Sequence, residues 1–215
     1  MTDRVAVDAA PEGPRVTKRQ VKTAQRREAV LRAAFGVFSE RGFHNASLTE
    51  IAERADMTHA GVLHHFGSKD RLLIEVLRYR DGRGVDGLSG EPPEGAALLP
   101  HLVRTVGENE GKPGIVQAFS VLAAESVTDG HPAQQYFRDR MASLRATIAA
   151  AIADRTGRPR DDVGVTDGAA AVIAVMDGLQ IQWLLSPDDV FMQRAAQLVI
   201  DAVTQYLADG VGSPS

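Results

Sequence analysis

The stretch SLTEIAERADMTHAGVLHHFGSKDRL, residues 47–72, decides how the rest of the chain is read. Ser47 with Glu50 three positions on fits a capping box, opening a short helix that carries Leu48, Ile51 and Ala55. Asp56-Met57 breaks that helix, and Thr58 can cap a second short one running through His65. Small Ala52, Ala55, Ala60 and Gly61 near the junction let the two helices cross closely. This is helix-turn-helix geometry, in which the second helix enters a DNA major groove. Such a helix presents polar side chains from its N-terminal half, because only those reach base edges in a groove about 12 Å wide. Thr58, His59 and His64 suit that task. Thr49 in the preceding helix and Lys69 opening the following one are placed for phosphates. Phe66 reads as core. Leu63 reads either as core or as an apolar touch on a thymine methyl.

Outward from this stretch, nearly every periodic segment reads as helix. From Lys22 to Arg41, Val30, Leu31, Ala34, Phe35 and Phe38 recur at i, i+3, i+4 spacing, and Gly42 stops the helix. Leu72, Leu73, Val76 and Leu77 line one face of a helix from about Lys69 to Asp81. Residues 82–93, GRGVDGLSGEPP, read as a linker. Beyond it, helices are expected near 95–109 (bent by Pro100), 113–128, 132–156, 167–185 and 187–209. Pro113, Pro132 and Pro187 stand where a first helical turn accepts proline, and Ser186 is a suitable cap. The expected fold is all-α, with about nine helices. A basic arm (1–21) precedes a three-helix helix-turn-helix domain (22–81). The linker then leads to a larger helical bundle (94–210) and a short tail (211–215).

The composition is that of a globular chain of 215 residues, 44% apolar and 24% charged, which excludes wholesale disorder. The absence of cysteine excludes disulfides, thiolate metal sites and cysteine nucleophiles. The start lacks a signal-peptide pattern, and the longest unbroken apolar run, Ala169 to Met176, falls far short of a bilayer span. A cytoplasmic protein without membrane contact is expected. The net charge of −4 hides a division. Residues 15–80 carry a basic excess and residues 81–215 an acidic one, which either suits a polyanion partner for the first part or is a chance fluctuation. Arg15, Lys18, Arg19, Lys22, Arg26 and Arg27 form a basic arm that either reaches phosphates and an adjacent minor groove or is a solvated tail.

Several patterns suggest chemistry that their context denies. Gly82 to Gly87 spells G-x-G-x-x-G, but a helix precedes it and a proline-rich loop follows, so it is not a dinucleotide fingerprint. His59 to His64 is an i+5 spacing, and neighbours His64 and His65 diverge on a helix, both poor for a metal. Asp161-Asp162 and Asp188-Asp189 sit near helix starts, where acids complement the dipole. No cofactor, metal site or catalytic constellation is expected.

Residues 24–80 resemble the N-terminal domain of the TetR (tetracycline-repressor-like) family of transcriptional regulators. The resemblance rests on Ala33-Ala34-Phe35 with Phe38, Gly42-Phe43, Ser47-Leu48-Thr49-Glu50-Ile51-Ala52, Ala55, Val62-Leu63-His64-His65-Phe66 and Ser68-Lys69. It implies a homodimer on a near-palindromic DNA operator, released by a small-molecule effector held in the C-terminal helices. It maps base contacts to Thr58, His59, Gly61 and His64, and phosphate contacts to Thr49 and Lys69. The chain departs from the family pattern at Asp56-Met57, where the turn usually has Gly and a small aliphatic residue. It departs again at Leu63 and His65, where the family often has aromatics.

In the C-terminal part, Val172, Met176, Leu179 and Trp183 on one helix and Phe191, Ala195, Leu198 and Ala202 on the next form broad apolar stripes. They suit either a four-helix dimer interface or the chain's own core. An effector cavity is expected among Phe119, Leu122, Glu125, Tyr136, Phe137, Met141, Met176 and Trp183, each of which also reads as ordinary core. With aromatics at 5%, a cage of several rings around a large cation is not indicated. The rival reading is a helical small-molecule-binding protein or enzyme whose basic N-terminus is incidental.

Overall fold

A computed structural model describes residues 17–82 and 92–210. Helix α1 (Lys18–Asn45) begins at Lys18 rather than Lys22 because Thr17 and Gln20 form a reciprocal capping box. Thr17 Oγ1 accepts from the Gln20 N–H, and Gln20 Oε1 accepts from the Thr17 N–H at 2.8 Å. Lys18 and Arg19 therefore belong to a helical turn, not to the expected arm, whose residues 1–16 lie outside the described part. Gly42 interrupts α1 at φ 69°, ψ 178°, a backbone region reserved for glycine, and one further turn leads to α2.

Helices α2 (Leu48–Arg54), α3 (His59–Phe66) and α4 (Lys69–Gly82) follow, with the expected linker and tail outside the described residues at 83–91 and 211–215. After a 3₁₀ turn, Gly95–Ala97, come α5 (Leu98–Asn109), α6 (Pro113–Glu125), α7 (Gln134–Thr156), α8 (Val163–Leu185) and α9 (Met192–Ala208). The described residues are thus all-α. Pro113 does open α6, and Pro100 sits in the first turn of α5. Pro132 and Pro187 occupy turns instead. The Ser186 carbonyl accepts from the Asp189 and Val190 N–H groups, which delays α9 to Met192. Asp162, accepting from the Val165 N–H at 3.2 Å, starts α8 earlier than expected.

The N-terminal unit does not close its core on itself. Val30, Val37, Phe38, Ile51, Val62, Leu72 and Leu77 pack in one buried cluster with Phe119 and Leu122 of α6 and Phe137 of α7. A second cluster joins α5, α7, α8 and α9 around Ile148, Ile152 and Val172, and a third gathers Val106, Trp183 and Met192. Helix α8 is long and apolar enough to cross a membrane, contrary to the expectation drawn from unbroken runs. Its apolarity is interrupted by Asp167 and Asp177, and it packs against α7 and α9 within the bundle.

Candidate nucleic-acid interface

Each short helix is capped by its predicted hydroxyl. Ser47 Oγ accepts from the Thr49 N–H at 3.2 Å, and Thr58 Oγ1 from the Gly61 N–H at 3.1 Å. The expected box at Ser47 is only half built, because Glu50 turns to Arg41 and Arg54. Between the helices Asp56 adopts φ 51°, a left-handed turn that glycine takes freely and aspartate tolerates. That geometry accounts for the departure at this position. A Cβ on Gly61 would press on Met57 Cε and Thr58 Oγ1 at 3.1 and 3.2 Å, so Gly61 keeps the cap and turn close to α3.

Burial sorts α3 into two faces. Val62 and Phe66 are buried under α1 and α4, whereas Thr58, His59, Ala60 and His64 are exposed. Gly61 and Leu63 lie half-buried at the border, and Thr49 is exposed in the first turn of α2. The polar side chains expected to read DNA are therefore all open to solvent. Arg15 lies outside the described residues, and Lys18 and Arg19 fall in the first turn of α1.

The pair α2–α3 is seated by charged contacts. Arg54 grips Glu40 of α1 through two hydrogen bonds, 2.8 and 2.6 Å, and reaches Glu50 at 2.8 Å. The Arg54 hydrogen bond holds the Glu40 carboxyl below its usual range. Lys69 is less available than expected. Its Nζ donates to the carbonyls of His44 (3.2 Å) and Ala46 (2.9 Å) and lies 4.5 Å over the Phe43 ring. Two of its three donors are thus spent on the end of α1.

Phe43 belongs to a junction that sequence reasoning missed. Its N–H donates to Glu125 Oε2 of α6 at 2.6 Å, and the same carboxylate lies against Gly42, leaving no room for a Cβ. His131, 5% exposed, meets the rings of Phe43 and His44 edge-on at 5.1 and 5.6 Å. Glu125 thus links the two parts of the chain through the Phe43 N–H.

Among the other expected cavity residues, Phe119, Leu122 and Phe137 complete the core under α1, and Met141 packs between two clusters. Met176 and Trp183 pack in the third cluster. Tyr136 alone of the eight lines an open cleft of about 800 Å³ between α4, α5 and α7. Its walls include Ile74 and Arg78 of α4, His101 and Thr105 of α5, and Asp139 and Arg140 of α7. These were missed, although His101/Thr105 and Tyr136/Arg140 repeat at i, i+4 spacing, the signal of a shared helix face. Deeper in, burial pushes the Asp177 carboxyl of α8 upward, against the pull of Arg140.

The two helices of the expected dimer stripe differ in how much of it they expose. Val172, Leu179 and Trp183 face the chain's own core, and Met176 and Ala195 are half-buried against it. Phe191, the N-cap of α9, and Leu198 and Ala202 within it are exposed, as are Tyr206 of α9 and Ile181 and Leu185 of α8.

Two family models match the chain, "Bacterial regulatory proteins, tetR family" over residues 30–76 and "BetI-type transcriptional repressor, C-terminal" over residues 103–208. The HTH-type transcriptional regulator BetI of Agrobacterium fabrum is 29% identical over 185 residues, covering 82% of this chain and 85% of that protein. The HTH-type transcriptional regulator RutR of Escherichia coli is 41% identical over 61 residues, 28% of this chain and 29% of its own length. A regulator from Saccharomonospora viridis, solved in complex with choline, superposes with a TM-score of 0.63 at 24% identity, over 84% of this chain and 96% of that one. With two short capped helices, polar side chains exposed on the second, and family matches on both halves, the chain belongs to the TetR family and is a DNA-binding transcriptional regulator.

Proposed function

We propose that the protein is a cytoplasmic, dimeric repressor without enzymatic activity, which binds a near-palindromic operator and is released by a small molecule seated in the α4–α5–α7 cleft. The observation that carries this reading is the position of α4. It follows the α3 cap directly at Lys69 and sends Ile74 and Arg78 into the cleft wall, so one helix touches both the DNA-reading unit and the cavity. A ligand that fits the cleft better in one setting of α4 shifts the separation of two α3 helices in a dimer. The exposed apolar residues of α8 and α9 support a second copy as the partner, because a helix-turn-helix needs two half-sites for useful affinity.

The cleft offers Arg78, Arg140 and the ring of Tyr136. That lining does not form a cage of rings for a quaternary ammonium, so choline, bound by the S. viridis regulator, is a poor candidate here. Selection of bound duplexes from a random pool tests the DNA reading and yields half-site and spacing together. Recovery of no enriched sequence would sink it.

Thr58, His59, Gly61, Leu63 and His64 are proposed at base edges, Thr49 and Lys69 at phosphates, and Arg15, Lys18 and Arg19 at flanking backbone. His64→Ala should lower affinity for the selected duplex by about 1–3 kcal/mol and leave random duplexes unchanged, read by fluorescence anisotropy. Lys69→Ala should weaken both duplexes alike and reduce the slope of log affinity against log salt by about 1. An unchanged slope would reduce Lys69 to its bonds with His44 and Ala46.

A further inference from the structure

Buried histidines that accept a backbone N–H are locked into one tautomer, and His131 is such a residue. Its Nδ1 accepts from the Ala133 N–H at 3.2 Å, so the ring proton stays on Nε2, a buried atom with no hydrogen-bond partner among the described residues. Ala133 is the N-cap of α7, where the helix dipole disfavours a cation. A second proton on this ring turns Nδ1 from acceptor into donor, facing another donor, and places a charge where burial gives it no solvent. Burial holds the His131 imidazole below the usual histidine range. Among its neighbours, His44 pushes the same way and Glu125 and Asp70 pull against it.

The position of this ring gives its protonation a consequence. His131 packs edge-on against Phe43, whose N–H is held by Glu125 of α6 and whose ring also lies under the Lys69 ammonium of α4. Phe43 is thus clasped between the C-terminal bundle and the first residue of the helix that follows the DNA-reading hairpin. The charged and titratable groups facing the ring from each packed element are Glu125 on α6, His44 on α1, and Asp70 and Lys69 on α4.

We propose that the His131–Phe43–Glu125 junction is a proton-sensitive coupling between the C-terminal bundle and the DNA-reading unit, which loosens on acidification and weakens specific DNA binding. The sign follows from linkage. A histidine depressed in the folded state contributes stability that is present above the ordinary histidine range and is lost as pH falls through it toward the folded value. The inference rests on the DNA-reading assignment, and its test separates the two.

Thermal unfolding of the full chain is measured at pH 7.5 and 5.5 for the natural protein and for His131→Asn, whose amide oxygen can accept the Ala133 N–H but does not titrate. The natural protein should lose several degrees more between the two pH values, about 3–5 °C for each factor of ten in displaced proton affinity. Its affinity for the duplex recovered from the random pool should fall about 5-fold or more relative to that of H131N over the same interval. Equal pH dependence in both proteins overturns the coupling. Should H131N fail to fold, a proton NMR titration of the natural protein decides: a His131 ring titrating with the exposed histidines overturns the proposal, and one that resists protonation until the fold loosens supports it. Absence of any enriched duplex would count against the DNA-binding assignment instead, leaving the thermal comparison to judge the junction.

Discussion

Gly42→Val should destabilise the protein by about 3–5 kcal/mol, the largest loss expected from any single exposed or turn position. Two costs combine. At φ 69°, ψ 178° a side chain occupies backbone space that is essentially glycine's alone, which costs on the order of 1–3 kcal/mol. The added carbons also meet the Glu125 carboxylate and must expel it from the Phe43 N–H, forfeiting a charge-assisted hydrogen bond of about 1.5–3 kcal/mol. For a chain of this size the midpoint of thermal unfolding should fall by about 10 °C, read by circular dichroism. Glu125→Gln keeps an acceptor oxygen at the same reach and should cost less than half as much. A Gly42→Val protein melting within 2 °C of the natural one would mean that the turn is not pinned by Glu125.

The contrast between this junction and the reading hairpin shows what a sequence can convey. Ser47, Thr58 and the alternation of Val62 and Phe66 with His59 and His64 act within a few residues of one another, so caps and faces are legible locally. Even the unusual Asp56 is readable, because the left-handed turn it makes is a local property. Glu125 meets Phe43 across 82 positions and bonds a backbone N–H, which any residue could supply; no residue type announces it. The α4–α5–α7 cleft is hard to read from sequence for a related reason. Of the residues expected to line a mostly apolar pocket, Phe119 and Phe137 fill the space under α1 that the N-terminal unit leaves open. The cleft forms where polar Thr105, Asp139 and Thr147 prevent such closure.

Helix α8 exposes a further limit. It is apolar nearly all round, so periodicity cannot say which face meets the chain's own core. Packing selects Val165, Val172, Leu179 and Trp183 for the interior and leaves Ala170, Ala174, Ile181 and Leu185 outside. Helix α9 has polar residues enough to fix its orientation, and there the expected Phe191, Leu198 and Ala202 do face outward.

Leu198→Asp should therefore abolish the proposed dimer and remove most of the specific DNA affinity. Leu198 is 70% exposed, between Phe191 at 50% and Tyr206 at 54% on the same face of α9, with Leu185 at 80% on the adjoining end of α8. Presenting that row to water gains nothing, whereas a two-fold partner covers it with an identical row. In such an interface each substitution occurs twice, and each buries a carboxylate without a partner. A loss of about 3 kcal/mol or more per dimer raises the dissociation constant by about 100-fold or more. Sedimentation at micromolar concentration should show the mass halved, with the helical circular dichroism signal retained. The operator then meets one reading helix at a time, and binding should drop toward the level of random duplex. Val127→Asp supplies the comparison, since Val127 is 79% exposed but sits past the end of α6, on neither α8 nor α9. It should leave both mass and affinity unchanged. A Leu198→Asp protein that remains dimeric would move the interface off α9, and the row Phe191–Leu198–Tyr206 would then need a different partner.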